Sequence, residues 1–351
     1  MSASGSHLLL IALGLAGLLG GSSAAAGERA DTVDPGFWRQ QSGAIIAIDN
    51  DLFAISNRDR DYTGGLSLSL PHLDEAVRWN PRRWLGPLAR SRGEEFEFGT
   101  LQLQVVAFSP AELERPDVQP DDRPYASLWA VTGARQRVSN DGRHAVFASL
   151  TVGALGLRVT ETLHRAVHRA SDTELPEGYD HQISAGGEPT ARLMVARRRL
   201  LAGGEIGPGS DVWLTAAGSV GYLTETWLGL SARFGDRGTP WWSSGADLAD
   251  YAAAPAFGIR ALGGERTIDM GVRVTVRAYN AFLEGQFRHS DLRVDRSNIE
   301  PVIARAWIGV TVSTLSGMRW FYRLTAQSAE LRSGPAARVH YWGSLGFDRS
   351  F

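Results

Sequence analysis

Apolar and polar residues alternate one by one along most of the chain after residue 40. In residues 272–278, valine or alanine occupies every even position, whereas Arg273, Thr275 and Arg277 fill the odd positions. A period of two places alternate side chains on opposite faces of a β-strand. Glycine, proline, aspartate and asparagine separate these segments, as they separate strands in proteins. The pattern therefore predicts an all-β protein of about a dozen strands.

Twelve segments have this strand-like pattern. They are residues 44–53, 63–70, 96–108, 125–138, 144–155, 189–201, 212–223, 227–234, 256–262, 272–278, 302–312 and 339–347. One further segment, residues 159–170, has the apolar spacing of a short amphipathic helix. A helix that interrupts a run of strands usually belongs to a loop, and loops often carry function.

Two architectures fit strands that have one apolar and one charged face. In a soluble sandwich the apolar faces form the core and the polar faces contact water. In a membrane barrel the apolar faces contact lipid and the polar faces line a lumen, while closure satisfies every backbone donor. Aromatic residues near segment ends, such as Trp227, Trp320 and Tyr341, together with the terminal Phe351, favour the barrel. We expect a transmembrane antiparallel β-barrel of about 12 strands with a short helix in a loop.

The first 26 residues resemble a secretory signal peptide. An apolar run at residues 8–19 precedes a series of small residues that ends in three alanines at Ala26, which suits cleavage by signal peptidase. A membrane anchor is the alternative, but this run is shorter than the roughly 20 residues that a spanning helix needs. We expect residues 1–26 to be a signal peptide and residues 27–351 to form a single barrel domain in the outer membrane.

Composition excludes several classes of function. The formal net charge of -2 is too balanced for a nucleic-acid-binding surface. The chain has no cysteine, which excludes disulfides, thiolate metal sites, cysteine nucleophiles and a lipoprotein anchor. All 36 basic residues are arginine, so Schiff-base chemistry and a P-loop are excluded as well. Guanidinium groups suit phosphate recognition, although codon usage alone would also give an all-arginine chain.

Four polar stretches interrupt the strand pattern and could carry chemistry. They are Asn50-Asp51, Asp61-Tyr62-Thr63, residues 121–125, and the helical histidines His164 and His168 with Glu174. A histidine oriented by a carboxylate can deprotonate water, and asparagine and aspartate oxygens suit calcium. Ester hydrolysis without a nucleophilic serine is therefore one interpretation. The alternative is that the Asn-Asp pair forms a turn and that the histidines are simply solvated.

Several motifs, in chain order, resemble the outer-membrane lipid A deacylase family. They are residues 49–53 (DNDLF), 59–66 (DRDYTGGL), 122–127 (DRPYAS), 167–168 (VH) with 176–182 (PEGYDHQ), and 279–285 (YNAFLEG). The resemblance implies a 12-stranded outer-membrane barrel that needs calcium and hydrolyses the ester-linked 3′-acyloxyacyl group of lipid A. The implied partners are lipopolysaccharide and the outer membrane, and neither a protein partner nor nucleic acid is implied.

The resemblance also assigns roles to the matching positions. His168 matches the general base, and Glu174 matches an acidic residue that would orient it. Asn50 would support the oxyanion, and Asp51 would bind calcium. Thr63 belongs to the matched Tyr-Thr pair and is counted among the catalytic residues.

Other positions depart from the family pattern. Arg115, near the place of a family lysine, would hold a lipid A phosphate. His164 stands where the family commonly has glutamine and would contact the substrate. Glu188 keeps only part of an Asn-Glu-Pro sequence that the family has after the helix. Separately, we expect residues 241–254 to form a long external loop. The alternative functions are an outer-membrane phospholipase with the same base and metal, and a non-catalytic barrel or pore.

Overall fold

The structure is a computed structural model that describes residues 38, 40–54, 61–71, 84–85, 95–314 and 317–350. The expected signal peptide lies outside the described residues. The described residues form twelve strands that close into one antiparallel barrel, in which each strand pairs with its chain neighbours and β1 pairs with β12. The strands are β1 Gly43–Asn50, β2 Asp61–Pro71, β3 Glu95–Ser109, β4 Ala126–Ser139, β5 His144–Leu155, β6 Glu188–Ala202, β7 Gly207–Gly221, β8 Leu223–Arg237, β9 Glu265–Asn280, β10 Val302–Ser313, β11 Met318–Gln327 and β12 His340–Ser350.

The expected fold class is therefore confirmed, although one predicted strand is wrong and one observed strand, β11, is missed. Residues 256–262 form no strand apart from an isolated bridge between Gln40 and Ile259. Phe257 and Ile259 of this segment are buried, and Phe257 packs edge-on against Phe147 of β5, whereas Arg260 and Leu262 are exposed. The alternation does not reveal β11, because residues 320–322 are three aromatic residues in succession and obscure the period of two.

The apolar strand faces point outward and the charged faces point into the lumen. On β9, Val274 and Val276 are each 54% exposed, whereas Arg273 and Arg277 are 3% and 4% exposed. A soluble sandwich would bury the valines and expose the arginines. The observed arrangement is that of a barrel with an apolar outer band, as lipid contact requires.

Residues 239–259, in the long segment between β8 and β9, fold back into the lumen, and we call them the plug. Trp241 and Trp242 of the plug are 1% and 2% exposed. The indole of Trp242 stacks on Phe98 of β3, with ring centroids 4.9 Å apart. The expectation that residues 241–254 form an external loop is therefore wrong, because their apolar rings are buried against the inner wall.

Acidic side chains of the plug are paired with arginines of the inner wall. The Asp247 carboxylate forms a bidentate salt bridge with Arg198 of β6, at 3.0 and 2.9 Å. Further along the plug, the Asp250 carboxylate contacts three guanidinium groups, which belong to Arg192, Arg273 and Arg305. Buried charges are tolerated when they are paired in this way. The charge pattern of the strands thus serves to hold the plug.

The helices lie at the end of the barrel where β1 ends and β2 begins, which we call the helix end. The segment between β5 and β6 contains α1, Val159–Ser171, so the predicted helix at residues 159–170 is confirmed. The segment between β9 and β10 starts with α2, Ala281–Glu284. Within the described parts of the chain, we find no helix of the length and apolarity that crossing a membrane would require.

An aromatic cluster fills the lumen near the helix end. Tyr251 of the plug packs against Tyr62 of β2, with ring centroids 5.5 Å apart, and edge-on against Phe108 of β3 at 4.8 Å. A Cβ on Gly65 would lie 2.2 Å from the Tyr62 hydroxyl and 2.9 Å from the Tyr251 carbonyl oxygen. Glycine at this position therefore lets the plug pack directly against β2.

Candidate active site

Helix α1 lies along the outside of the barrel wall. Thr160, His164 and His168 are spaced by four residues, so they share one side of the helix, and all three are buried. The hydroxyl of Thr160 accepts a hydrogen bond of 2.8 Å from the indole nitrogen of Trp129, which is on β4. The sequence spacing thus places both histidines between the helix and the wall.

A cavity of about 240 Å³ separates α1 from β1, β2 and β3, and we call it the groove. Its lining is mostly apolar and includes Leu52, Leu66, Val105, Ala107, Leu163 and Val167. Asn50, Thr63, His164 and His168 line the same cavity. The fold therefore brings together four of the seven site residues predicted from the sequence.

The ring of His168 has a defined tautomer. Its Nδ1 atom lies 2.5 Å from the backbone carbonyl oxygen of Glu174 and 3.1 Å from Oγ1 of Thr173. A carbonyl oxygen only accepts hydrogen bonds, so Nδ1 carries the proton and the lone pair of the neutral ring is on Nε2. Glu174 itself is exposed. Its contact with the histidine comes from the main chain and not from the predicted carboxylate.

The end of α1 brings this carbonyl oxygen to the ring. Asp172 follows the helix in the left-handed conformation, with φ 53° and ψ 44°, which aspartate tolerates better than most residues. The amides of Asp172 and Thr173 both donate hydrogen bonds to the carbonyl oxygen of His168. The chain therefore reverses direction immediately after α1. This reversal brings the Glu174 carbonyl oxygen into contact with the His168 ring.

Asn50 ends β1 and caps a short 3-10 helix at Asp51–Phe53. Its Oδ1 atom accepts a hydrogen bond of 2.7 Å from the Leu52 amide, and its Nδ2 group donates one of 2.8 Å to the Thr63 carbonyl oxygen. Both ends of the side-chain amide are thus fixed. Asp51 is 2% exposed and does not line the groove.

Thr63 lies opposite this amide on β2. Its hydroxyl is 2.6 Å from the hydroxyl of Ser109 on β3. The neighbouring Gly64 pairs with Asn50 across the strands, and a Cβ there would come within 2.9 Å of the Asp49 carbonyl oxygen. Glycine therefore permits the close approach of β2 to the end of β1.

Arg115 lies in the segment between β3 and β4 and does not line the groove. Its guanidinium group forms an ion pair of 3.1 Å with Glu112, and about half of each side chain is exposed. The structure therefore does not place Arg115 beside the two histidines.

The neighbouring motif at residues 122–125 holds its own segment together, since the Asp122 carboxylate accepts hydrogen bonds from the amides of Ala111 and Arg123.

The donor set near the groove fits a hard cation only in part. Asn50, Asp51 and Thr63 offer carboxylate, amide and hydroxyl oxygens, which are the ligands that calcium takes. Among the residues that the structure describes, no three His, Asp or Glu side chains are grouped so as to hold a metal ion. A cation at Asp51 would therefore need main-chain, water or substrate oxygens to complete its coordination.

Sequence reasoning missed two residues near the groove. Tyr179, which is 1% exposed, has its hydroxyl 3.0 Å from Nδ1 of His164. Ser109 contacts Thr63, as described above. The signal for Tyr179 was its place in the motif at residues 176–182, whereas nothing in the local pattern marks Ser109.

The fold is similar to LpxR from Salmonella typhimurium, with a TM-score of 0.70 and 14% identity over 88% of this chain and 100% of that chain. It is less similar to the beta domain of the Bordetella autotransporter Brka, with a TM-score of 0.41 and 12% identity over 89% and 100% of the two chains. No curated protein matches the sequence.

The family described as outer membrane protein LpxR matches residues 9–351. The resemblance that the ordered motifs suggested is thereby confirmed, and so is the outer-membrane location. The chain belongs to the LpxR family of outer membrane proteins.

Proposed function

We propose that the protein is an ester hydrolase that removes the 3′-acyloxyacyl group from lipid A in the outer membrane. The observation that carries the proposal is the groove, an apolar cavity on the outer wall of the barrel that is lined by His168, whose Nδ1 atom is held by the Glu174 carbonyl oxygen. The resemblance of the motifs to lipid A deacylases supports the choice of substrate.

The base in this proposal is Nε2 of His168. It takes a proton from water, and the water oxygen forms a bond to the ester carbonyl carbon, giving a tetrahedral oxyanion. The ester C–O bond then breaks, the histidine returns the proton to the departing alkoxide, and the products are a fatty acid and an alcohol. General base catalysis of this kind contributes about 10²-fold to 10⁴-fold. The fixed amide of Asn50 would donate to the oxyanion, and one such donor contributes about 3 to 4 kcal/mol.

The apolar lining would position the acyl chain more than attract it. A chain that comes from a bilayer is already in an apolar solvent, so its transfer to Leu66 and Val105 gives little hydrophobic free energy. What the groove can supply is a fixed geometry for the ester, and a well-oriented reaction can gain about 7 to 11 kcal/mol from this effect.

The helix end is proposed to face the cell exterior. Three of the five connections at the opposite end are short, namely residues 140–143, 203–206 and 314–317, and one of the two long ones contains the plug. At the helix end, four connections are long, namely residues 110–125, 156–187, 281–301 and 328–339. Outer-membrane barrels have short periplasmic turns and longer extracellular loops. This orientation would place the groove at the outer leaflet.

Calcium is proposed as the cofactor, with Asp51 as one ligand. A bound calcium ion would supply positive charge that polarises the ester carbonyl. We expect an excess of chelator to lower turnover by at least about 10²-fold, as the loss of a charge-stabilising group does, and added calcium to restore it. Asp51→Asn should raise the calcium concentration needed for half-maximal activity, whereas Asp236→Asn, at an exposed position on β8, should not. Undiminished turnover in chelator would remove calcium from the proposal.

The function itself is tested by mass spectrometry of lipid A from cells with and without the protein. We expect lipid A to lose the mass of one acyloxyacyl unit only when the protein is present. Unchanged lipid A together with fatty acid released from glycerophospholipids would show a phospholipase instead. A pore is disfavoured by the plug, whose carboxylates are paired with arginines across the lumen.

A further inference from the structure

We infer that Tyr179 and His164 form a positioning pair that holds the His168 ring in the orientation needed to act as a base. The inference rests on the proposed function, because it concerns how the proposed base is oriented. It gives Tyr179 a positioning role. It also makes His164 a residue that orients His168, whereas the sequence resemblance implied that His164 contacts the substrate.

Contacts at one nitrogen do not fix the plane of an imidazole ring. The Glu174 carbonyl oxygen and the Thr173 hydroxyl both contact Nδ1 of His168, and the ring can still tilt about this atom. The ring of His164 stands edge-on to that of His168, with centroids 4.4 Å apart and an angle of 82° between the planes. This contact opposes tilting, and so it determines where Nε2 of His168 points.

The ring of His164 is in turn held by Tyr179. The Tyr179 hydroxyl lies 3.0 Å from Nδ1 of His164, and the two rings are almost perpendicular, at 89°. A tyrosine hydroxyl can donate or accept a hydrogen bond, so this contact persists in either tautomer of the histidine. Removing the hydroxyl would remove this restraint on rotation of the His164 ring about its χ2 angle.

Tyr179 is itself fixed by the segment between β3 and β4. Its ring packs on Tyr125 with centroids 4.5 Å apart, and the Tyr125 hydroxyl donates a hydrogen bond of 2.9 Å to the Leu113 carbonyl oxygen. Gly178 permits this packing, since a Cβ there would lie 2.7 Å from the Tyr125 ring. Tyr125 and Leu113 belong to a different segment from α1. The position of the Tyr179 hydroxyl is therefore fixed independently of α1.

Docking of α1 does not depend on the Tyr179 hydroxyl. The guanidinium group of Arg165 forms two hydrogen bonds with the Glu177 carboxylate, at 3.1 and 3.0 Å. The contact between Thr160 and Trp129 holds the start of the helix. Loss of the hydroxyl should therefore disturb the orientation of the rings and leave the fold intact.

The test compares the steady-state kinetics of lipid A deacylation by refolded full-length variants. Tyr179→Phe removes the hydroxyl and keeps the ring. We expect kcat to fall about 10-fold, as for other groups that orient a reactive residue through a neighbour, with KM and heat-modifiable mobility unchanged. Tyr279→Phe is the matched control, because it removes a hydroxyl that bonds to the Gly285 carbonyl oxygen at the same end of the barrel, and its kcat should equal that of the wild type.

A double-mutant cycle separates positioning from general packing. If Tyr179 acts through His164, Tyr179→Phe should cause no further loss in a His164→Ala background. Independent, multiplicative losses would overturn the inference, and so would a wild-type kcat for Tyr179→Phe. Wild type and His168→Asn are measured in the same assay. If His168→Asn abolishes the deacylation that the wild type shows, the proposed function is supported whatever the result for Tyr179→Phe. Failure of the positioning role is therefore distinguishable from failure of the function.

Discussion

Replacing His168 with asparagine is expected to lower the rate of lipid A deacylation by about 10²-fold to 10⁴-fold, the usual contribution of a general base. Asparagine can still form hydrogen bonds, but it has no group that accepts a proton from water near neutral pH. The barrel should retain its heat-modifiable mobility, because the side chain lies outside the strand pairing. The measurement is fatty acid release from purified lipid A by the refolded variant.

His181 provides the matched control, because it lies on the same segment between β5 and β6. Its Nδ1 atom is 2.6 Å from the Asp291 carboxylate, and the residue does not line the groove. We expect His181→Asn to retain wild-type activity. Full activity in His168→Asn, or equal losses in both variants, would show that the base has been assigned to the wrong residue.

Replacing Glu330 with glutamine is expected to lower the free energy of unfolding at neutral pH by about 3 kcal/mol. Glu330 is in the loop between β11 and β12 and is 2% exposed. Its carboxylate pairs with Arg277 of β9 and, at 3.5 Å, with Arg123, and it accepts a hydrogen bond from the Tyr251 hydroxyl of the plug. Removing its charge takes from the buried Arg123 guanidinium group the carboxylate that it pairs with, while Arg277 keeps its ion pair with Glu225. Removing one partner of a buried ion pair typically costs about 3 to 5 kcal/mol.

The same residue predicts a pH dependence. Burial alone would raise the pKa of Glu330, but Arg277, Arg123 and His340 outweigh it and lower the pKa from 4.5 to about 2. A carboxyl group with a lowered pKa stabilises the folded state above its unfolded pKa and loses this contribution as the pH falls. The stabilisation should therefore be complete above about pH 4.5 and should disappear towards about pH 2.

Chemical denaturation in detergent at several pH values measures this effect. The difference in unfolding free energy between wild type and Glu330→Gln should shrink as the pH falls from 4.5 to 2. Glu300→Gln is the control, because Glu300 forms an exposed ion pair of 3.7 Å with Arg332, and such pairs contribute at most about 1 kcal/mol. Equal stability of the wild type and Glu330→Gln at pH 7 would contradict the proposed role of the buried charge.

The sequence predicts the barrel wall well, because closure gives every strand one outward and one inward face. The alternation on β9 follows directly from this constraint. The plug has no such constraint, and its contacts are distant in sequence: Asp250 meets Arg192 from 58 residues away and Arg273 from 23. A sequence pattern records local periodicity, so it did not indicate that this segment turns inward.

The site shows the same limit at the scale of single residues. The helical spacing of His164 and His168 placed both rings on one side of α1, as the structure shows. The pattern could not show that Glu174 would contact His168 through its carbonyl oxygen, because that depends on the left-handed turn at Asp172. The contact of Tyr179 with His164 also depends on the path of a loop and not on spacing.

The groove opens on the outward wall of the barrel and not into the lumen, and this has a consequence for how catalysis would be measured. A lipid substrate would arrive by lateral diffusion, and the released fatty acid would remain in the bilayer. The quantity that governs the rate is then the mole fraction of substrate in the membrane. Diluting it with inert lipid or detergent at constant bulk concentration should slow turnover, just as competitive inhibition does.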